Sequence, residues 1–410
     1  MGDEFFDIVP PTWEASDSII KVVGVGGGGC NAVANMFKQK IAGCSFVVCN
    51  TDSQALGKNP VPVKIQLGEG LGAGTDPAKG RNAAIEAQDE ISRVILDDKL
   101  QMLFITAGMG GGTGTGATPV IAKMAKDRGI LTVAVVTLPY RHEGDKALGR
   151  AIEGIHELER NVDSMLIINN QKLFEVFGDQ LIHDAYPKAD EVLATAVRSI
   201  IEIIKKPGYI NVDFEDVTTM MRNSGMALMG IGEGVGENRL YDAVHSAFES
   251  PLLNDFDLTS AKNVLVNITV APTDKGITMT MMENINNMID EFTGGANNFK
   301  RGLIYDDSPE VGDKVRITAI ATGFNFSKLM GPNVKVGNLI LINNDFVYTP
   351  EENDDAEIQR EADTTHIGFN TKENTRLFHF DLDNPPALLV REGQDISELE
   401  NTPAIRRIQK

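Results

Sequence analysis

Two glycine-rich loops are the parts of this sequence best suited to bind an anion. The first reads Gly24-Val-Gly26-Gly-Gly-Gly29, and the second, Gly108 to Gly116, contains six glycines in nine residues. Glycine lets the backbone approach a phosphate closely, and the amides at the start of a following helix then face the anion with a favourable dipole. Each loop is therefore a candidate phosphate site.

The first loop alone leaves several interpretations open. Its G-x-G-x-x-G spacing, with Asp52 about 20 residues further on, is typical of an NAD enzyme. A tight turn without a ligand is also compatible with it. The second loop favours a triphosphate, because a dinucleotide fold needs only one glycine loop. The sequence contains no G-x-x-x-x-G-K-[ST], which excludes the P-loop NTPases as a template.

Both loops lie between a predicted strand and a predicted helix. Apolar segments predict strands at 19–25, 45–49, 102–107, 130–138 and 165–168, and helices from Asn31, at 82–96 and at 118–127. This alternation is typical of an α/β fold with a parallel sheet. A broad apolar stripe predicts a long buried helix at 190–205. A smaller α+β unit is predicted from helices at 216, 237–249 and 279–291 and strands at 263–270, 301–305 and 314–321.

The 410 residues are enough for two or three domains. The predicted divisions are a flexible N-terminus at 1–17, an α/β domain with both glycine loops at 18–189, a central helix and linker at 190–210, a smaller α+β domain at 211–326, an acidic, mostly disordered linker at 327–401 and a terminal peptide at 402–410. The linker is predicted from the seven acidic residues that accompany one arginine between Pro350 and Asp363.

Composition argues against several classes of partner. A net charge of -20 disfavours nucleic acid, since no basic patch offsets it. The acidic start and the lack of a long apolar run predict a cytoplasmic chain that does not insert into a membrane. Cys30, Cys44 and Cys49 have no metal-ligand spacing, and no H-E-x-x-H occurs, so no protein metal site is expected.

The second loop resembles the signature of the tubulin superfamily in the segment Gly110-Gly-Gly-Thr-Gly-Thr-Gly116. From about Ser18 to Phe324 the chain is similar to the bacterial cell-division members, at Gly26–Asn31, Asn50–Asp52, Leu71–Gly74, Glu143-Gly144 and Asn211–Asp216. The resemblance implies a tubulin-like fold and a GTPase that polymerises head to tail into the septal ring at mid-cell. It also implies that 18–189 is the GTP-binding domain and that 211–326 is the GTPase-activating domain. The implied cofactors are GTP or GDP and Mg²⁺, and the first implied partner is a second copy of the chain.

The resemblance also implies a nucleotide site. Phosphate contacts are implied for Gly27, Gly28, Gly29, Cys30, Asn31, Gly112, Thr113 and Gly114, with Ala73 and Gly74 near the terminal phosphate. Gly110, Gly111 and Thr115 are also implied to bind the nucleotide. Glu143 is implied to meet the ribose, and Asn170 and Asp190 the guanine. Asp190 suits guanine because a carboxylate accepts from both N1–H and the 2-amino group. From the residues alone, Asp190 suits the N-cap of the long helix equally well.

One position departs from the pattern of the family. An arginine usually stands four residues after the glutamate, and this chain has Ala147 there. The missing contact keeps open an alternative function, a GTP-binding scaffold with little turnover. Arg150, one helical turn further on, is the candidate replacement.

Asn211, Asp213 and Asp216 are the candidate catalytic residues. Acids that precede a helix commonly cap it, and capping is one interpretation here. If Asp190 contacts guanine, however, a helix over 190–205 rises about 24 Å and puts these acids at the opposite end of the subunit. They would then polarise the attacking water on the nucleotide of a neighbour stacked head to tail, as the resemblance also implies.

The chain ends in Thr402-Pro-Ala-Ile-Arg-Arg-Ile408, which combines apolar and basic residues. This segment is similar to the terminal peptide of the family, which implies docking on membrane-tethering and regulatory division proteins. A frayed terminus is the alternative.

Overall fold

The computed structural model describes residues 18–170, 182–206, 208–249, 258–271, 276–296, 298–306, 313–324, 340–342 and 346–348. The predicted flexible N-terminus and the terminal peptide lie outside these ranges. So does the predicted disordered linker, apart from two short antiparallel strands at Ile340–Ile342 and Phe346–Tyr348.

Strands and helices alternate through the first half of the chain, as the sequence predicts. The elements are β1 (Ile20–Val25), α1 (Gly26–Lys38), β2 (Ser45–Asn50), α2 (Ser53–Lys58), β3 (Lys64–Gln66), α3 (Pro77–Glu86), α4 (Gln88–Val94), β4 (Met102–Gly108), α5 (Thr113–Lys126), β5 (Leu131–Leu138), α6 (Asp145–Glu159), β6 (Ser164–Asn169) and α7 (Ile182–Lys205). They are followed by α8 (Phe214–Met221), β7 (Gly225–Gly234), α9 (Arg239–Phe248), β8 (Asn263–Val270), α10 (Met279–Thr293), β9 (Asn298–Tyr305) and β10 (Val315–Thr322).

Several boundaries differ from the prediction for a common reason. Helices α1 and α5 begin within the glycine loops, at Gly26 and Thr113, five residues before their predicted starts at Asn31 and Thr118. Their first turns contain glycine in place of apolar residues, so periodicity detects only the later turns. Similarly, the helix predicted at 82–96 is two helices that meet at Ala87, and α7 begins at Ile182, eight residues before Asp190.

The strands form one ten-stranded sheet within the described residues, in the order β3-β2-β1-β4-β5-β6-β7-β10-β8-β9. Neighbours from β3 to β7 are parallel, whereas β10 runs antiparallel to both β7 and β8. The predicted α/β class with a largely parallel sheet is therefore confirmed. The chain direction of successive crossovers reverses between β1 and β4, and ligands of such sheets bind at the carboxyl ends of the strands at that point.

Helix α7 is buried along a broad face, as predicted. Leu193, Val197, Ile200, Ile201 and Ile203 are each 3% exposed or less, and the helix packs against α1. Full burial of each such side chain contributes about 1.5 to 3 kcal/mol. Helix α7 is thus a rigid connection between the first half of the sheet and the loop that follows Lys206.

Two compact units divide the chain: Met1–Asn254 with Ala261–Phe324, and Asp255–Ser260 with Asn325–Lys410. The finer domain limits stay predictions. Within the described ranges, no helix has the length and apolarity to cross a membrane.

Candidate active site

Both glycine loops begin at the carboxyl edge of the sheet, at the point where the strand order reverses. The first follows β1 and the second follows β4, and these strands are parallel neighbours with Val25 opposite Ala107. The two loops therefore leave the sheet side by side, and each continues directly into a helix whose first-turn amides have no partner within that helix.

The loops pack backbone against backbone, which only glycine allows. Gly26 has a φ of 71°, and a Cβ placed on it would lie 2.8 Å from the amide nitrogen of Gly114. A Cβ on Gly29 would lie 2.1 Å from the carbonyl oxygen of Thr106. By contrast, a Cβ on Gly27 or Gly111 would meet no atom within 4 Å. The two loops are thus packed tightly at Gly26 and Gly29, and their surface at Gly27 and Gly111 is open.

A third loop completes the crevice. A Cβ on Gly112 would lie 2.7 Å from the Cβ of Ala73 and 2.9 Å from the amide nitrogen of Asp76, so the segment after β3 packs on the second glycine loop. The hydroxyls of Thr51 and Thr113 share a buried hydrogen bond of 2.6 Å that connects the end of β2 to the same loop. Three segments from separate strands therefore converge on one space.

The predicted nucleotide-binding residues of these three loops divide into an exposed and a buried set. The exposed residues are Gly27, Gly28, Asn31, Gly74 and Gly111, and the buried ones are Gly29, Cys30, Ala73, Gly110, Gly112, Thr113, Gly114 and Thr115. The buried set shapes the loops. For example, the Thr115 hydroxyl accepts a hydrogen bond of 2.9 Å from the amide of Gly110. Burial raises the pKa of the Cys30 thiol to about 12, so this residue is a neutral packing group.

The carboxylate of Asp52, which follows β2, is engaged within the protein. Its carboxylate caps α2, accepting from the amides of Gln54 at 2.9 Å and Ala55 at 3.0 Å. The interpretation of Asp52 as a ribose-binding acid therefore loses its support.

Arg150 contacts the second glycine loop from α6. Its Nε donates to the carbonyl oxygen of Gly110 at 2.8 Å, and Gly110 also lies against the backbone of Ala147. The side chain of Arg150 is partly buried there. The structure thus provides a guanidinium on the loop although position 147 lacks one.

Glu143 lies in the short 3-10 turn between β5 and α6, at the same edge of the sheet. Its Oε1 accepts from the amide of Tyr140 at 2.8 Å, and the rings of Tyr140 and His142 stack with centroids 5.1 Å apart. The glutamate is exposed and held in place by its own turn. Its predicted contact with the ribose stays a prediction.

Asn170 and Asp190, the two residues predicted to face guanine, both carry polar groups that are at least partly buried. The Oδ1 of Asn170, directly after β6, is buried and has no hydrogen-bond partner within the described residues. Burial raises the pKa of Asp190 to about 6. Because α7 begins at Ile182, Asp190 lies inside the helix, and the interpretation of Asp190 as an N-cap is wrong.

The three candidate catalytic residues lie at the start of α8: Asn211 on the preceding loop, Asp213 at the N-cap and Asp216 in the first turn. Asp213 and Asp216 form a reciprocal capping box, with the amide of Asp216 donating to Asp213 at 2.7 Å. The capping interpretation is therefore confirmed, but it leaves Asp213 exposed. Asn211 accepts from the amide of Gly208 at 2.7 Å, which fixes the turn that leads into the loop.

Strand β9 holds this loop through contacts that the sequence analysis missed. Lys300 Nζ lies 2.6 Å from Asp216 Oδ1, and this hydrogen bond lowers the pKa of Asp216. The amide of Tyr209 donates to the carbonyl of Leu303 at 2.8 Å, and Lys206 pairs with Asp306 at 2.8 Å. No local pattern reveals these partners, since about a hundred residues separate them along the chain.

Comparison with known proteins places this arrangement in a family. A model described as "Tubulin/FtsZ family, GTPase domain" matches residues 19–178, and one described as "FtsZ family, C-terminal domain" matches residues 225–325. The curated "Cell division protein FtsZ" of Pseudomonas aeruginosa is 45% identical over 331 residues, covering 80% of this chain and 82% of that protein. The namesake from Wigglesworthia glossinidia brevipalpis is 46% identical over 326 residues, or 78% and 83% of the two chains. Among solved structures, "FtsZ dimer, empty (M. jannaschii)" is 35% identical with a TM-score of 0.70, over 82% of this chain and 93% of that one.

Proposed function

Since this chain belongs to the tubulin/FtsZ family of cell-division GTPases, we propose that it polymerises head to tail and that each subunit completes the active site of its neighbour. The observation that carries this proposal is the distance between the candidate phosphate-binding loops and the candidate catalytic acid. The glycine loops converge at one edge of the sheet, while Asp213 is exposed beyond the far end of α7.

The length of α7 supports catalysis between subunits. The helix is continuous from Ile182 to Lys205, so the segment from Asp190 onward rises about 24 Å before the loop begins. An acid beyond that end is too far away to reach a nucleotide whose base lies at Asp190. The same acid would meet the nucleotide of a subunit stacked on that end, and such a heterologous contact repeats without closing.

The exposed carboxylate of Asp213 would orient and polarise the attacking water. Asn211 shapes the turn, and Asp216 holds Asp213 through the capping box. In the crevice, amides of the exposed loop residues would stabilise the charge on the transferred phosphoryl group, where electrostatic stabilisation dominates catalysis. Hydrolysis would then depend on assembly.

Guanine would pair with the polar groups of Asp190 and Asn170. Its N1–H and 2-amino group are donors that fit the Asp190 carboxylate, and its 2-amino group has a second hydrogen for an acceptor such as Asn170 Oδ1. Adenine presents no such pair of donors to a carboxylate. Glu143 would contact the ribose from the turn after β5.

Mg²⁺ fits this site as an ion held mainly by the nucleotide. The described residues contain no group of three or more His, Cys, Asp or Glu side chains that could hold a metal. Magnesium in phosphate-binding sites is commonly bound by phosphate oxygens and water with few protein ligands. When bound, it would neutralise phosphate charge.

In the cell, the filaments would form the septal ring at mid-cell, in the cytoplasm. The terminal peptide 402–410 would bind membrane-tethering and regulatory division proteins, since its two arginines and neighbouring isoleucines offer charge and apolar contact together. Its sequence, and the resemblance it carries, support this part of the proposal.

The test is GTP hydrolysis per subunit as a function of protein concentration, with magnesium present. We expect a critical concentration for the wild type and loss of activity in Asp213→Asn, which keeps a capping side chain but removes the carboxylate. Asp242→Ala, another exposed acid in the first turn of a helix, is the matched control and should behave as wild type. Activity proportional to protein from zero would contradict catalysis between subunits, and binding without turnover would favour the scaffold.

A further inference from the structure

A groove lies on the first compact unit at the end of α1 that is remote from the glycine loops. Its volume is about 490 Å³, and its apolar lining comprises Phe37, Ile41, Phe46, Pro60 and Pro62. The rings of Phe37 and Phe46 meet edge to face, with centroids 6.1 Å apart. A cavity of this size and lining suits aromatic side chains, which bury large apolar areas.

The rim of this groove is basic in a chain that is otherwise strongly acidic. Lys38 and Lys40 line it and are both exposed, and neither forms an ion pair with any residue that the structure describes. Lys205 lies close by, since a Cβ placed on Gly43 would meet its side chain at 2.9 Å. The groove therefore suits an occupant that combines aromatic with acidic residues.

The residues that precede Ser18 have that composition. Residues 1–17 contain five acidic residues, no lysine or arginine, and the aromatic residues Phe5, Phe6 and Trp13. Their point of attachment is beside the groove, because the Ser18 hydroxyl donates to the carbonyl of Gly43 at 2.8 Å and Gly43 precedes the lining residue Cys44. Trp13 is five residues from Ser18, so it lies within about 17 Å of it even in a fully extended chain.

We propose that residues 1–17 dock in this groove of their own subunit, with Trp13 on the apolar lining and the acids against Lys38 and Lys40. Attachment at Ser18 gives the segment a high effective concentration at the groove, so weak contacts suffice. The surface would thus be an intramolecular docking site.

Trp13 is the only tryptophan of the chain and reports on docking directly. The experiment measures acrylamide quenching of its fluorescence in the full-length protein with GDP. We expect much weaker quenching than in the urea-unfolded chain, and the same quenching when the protein is diluted. In Lys38→Glu/Lys40→Glu, where attraction becomes repulsion, the ratio of docked to undocked segment should fall about tenfold and quenching should rise toward the unfolded value.

The matched control is Lys123→Glu/Lys262→Glu, which makes the same change of charge at two exposed lysines that do not line the groove. It should leave quenching unchanged. Far-ultraviolet circular dichroism of both variants checks that they are folded. Three results would overturn the proposal: wild-type Trp13 as accessible as in urea, protection that the groove variant does not alter, or protection lost on dilution, which would assign the groove to a second copy.

Discussion

Asp190 provides a specific prediction, because the negative charge of its carboxylate should destabilise the folded protein and favour binding of the guanine nucleotide. Burial raises its pKa from 3.8 to about 6. A carboxyl whose folded pKa is raised stabilises the protein when neutral. That contribution is complete below the unfolded pKa and is lost as the pH rises through about 6. Guanine recognition needs the opposite state, since only the ionised carboxylate accepts both hydrogen bonds.

The magnitude follows from the pKa. If GDP binds only to the ionised form, the competent fraction falls about tenfold between pH 7 and pH 5, and the apparent dissociation constant rises by the same factor. In Asp190→Asn this tenfold contribution to the pH dependence of the GDP dissociation constant should be absent. The affinity for GDP at pH 7 should fall about tenfold to a hundredfold, because charged hydrogen bonds are lost. Without nucleotide, the variant should be more stable than wild type at pH 7 by about 1 to 3 kcal/mol.

Calorimetric titration with GDP at pH 5, 6 and 7, together with thermal unfolding of the nucleotide-free protein, checks these values. The terminal phosphate of GDP also titrates near pH 6, but it does so equally in both proteins, so the difference between their slopes isolates Asp190. The role of Asp190 would be refuted if GDP affinity depended equally on pH in both proteins, or if the variant were less stable than the wild type at pH 7.

Four other substitutions test the remaining parts of the site. Gly29→Ala should lower the free energy of unfolding by about 3 kcal/mol or more, because its Cβ would lie 2.1 Å from a carbonyl oxygen. Gly27→Ala, with open space around its Cβ, should weaken nucleotide binding with little change in melting temperature. Arg150→Ala should reduce GDP affinity about tenfold in a titration, since it removes the hydrogen bond that holds the second glycine loop. Lys300→Met should raise the critical concentration for assembly, measured by light scattering, about fivefold at low salt and less at high salt, because the acids at the proposed interface lose their counter-charge.

The sequence predicted the parts of the fold whose signal is local. Apolar β-branched strands such as β4 and β8 were found nearly at their observed positions, because burial on both faces of the sheet imposes a continuous apolar pattern. The broad apolar face of α7 was also found, although the helix begins eight residues before its predicted start. Strand β7 was missed, since glycine weakens its pattern. Gly232 and Gly234 are needed because α9 packs directly on the strand, where a Cβ would lie 2.1 Å and 1.9 Å from carbonyl oxygens of that helix.

The candidate site divides in the same way. Each glycine loop is a continuous stretch of sequence and could be identified from its glycine spacing. Arg150 could be named because it lies one helical turn after position 147, where the family usually has an arginine. The contacts of Lys300 with Asp216 and of Thr51 with Thr113 join residues distant in the chain, so only the folded structure brings them together. Asp52 shows the converse, since its spacing suggested a ligand contact and its carboxylate caps a helix.

The most direct test of catalysis between subunits mixes two inactive variants. Asp213→Asn retains its nucleotide crevice but lacks the activating acid, and Asp190→Ala retains the acid but binds nucleotide poorly. In an equimolar mixture, random head-to-tail assembly would create about one quarter of junctions with an intact crevice facing an intact acid. The account predicts that GTP hydrolysis reappears at about that fraction of the wild-type rate. A mixture as inactive as its separate components, although it forms mixed filaments, would contradict it.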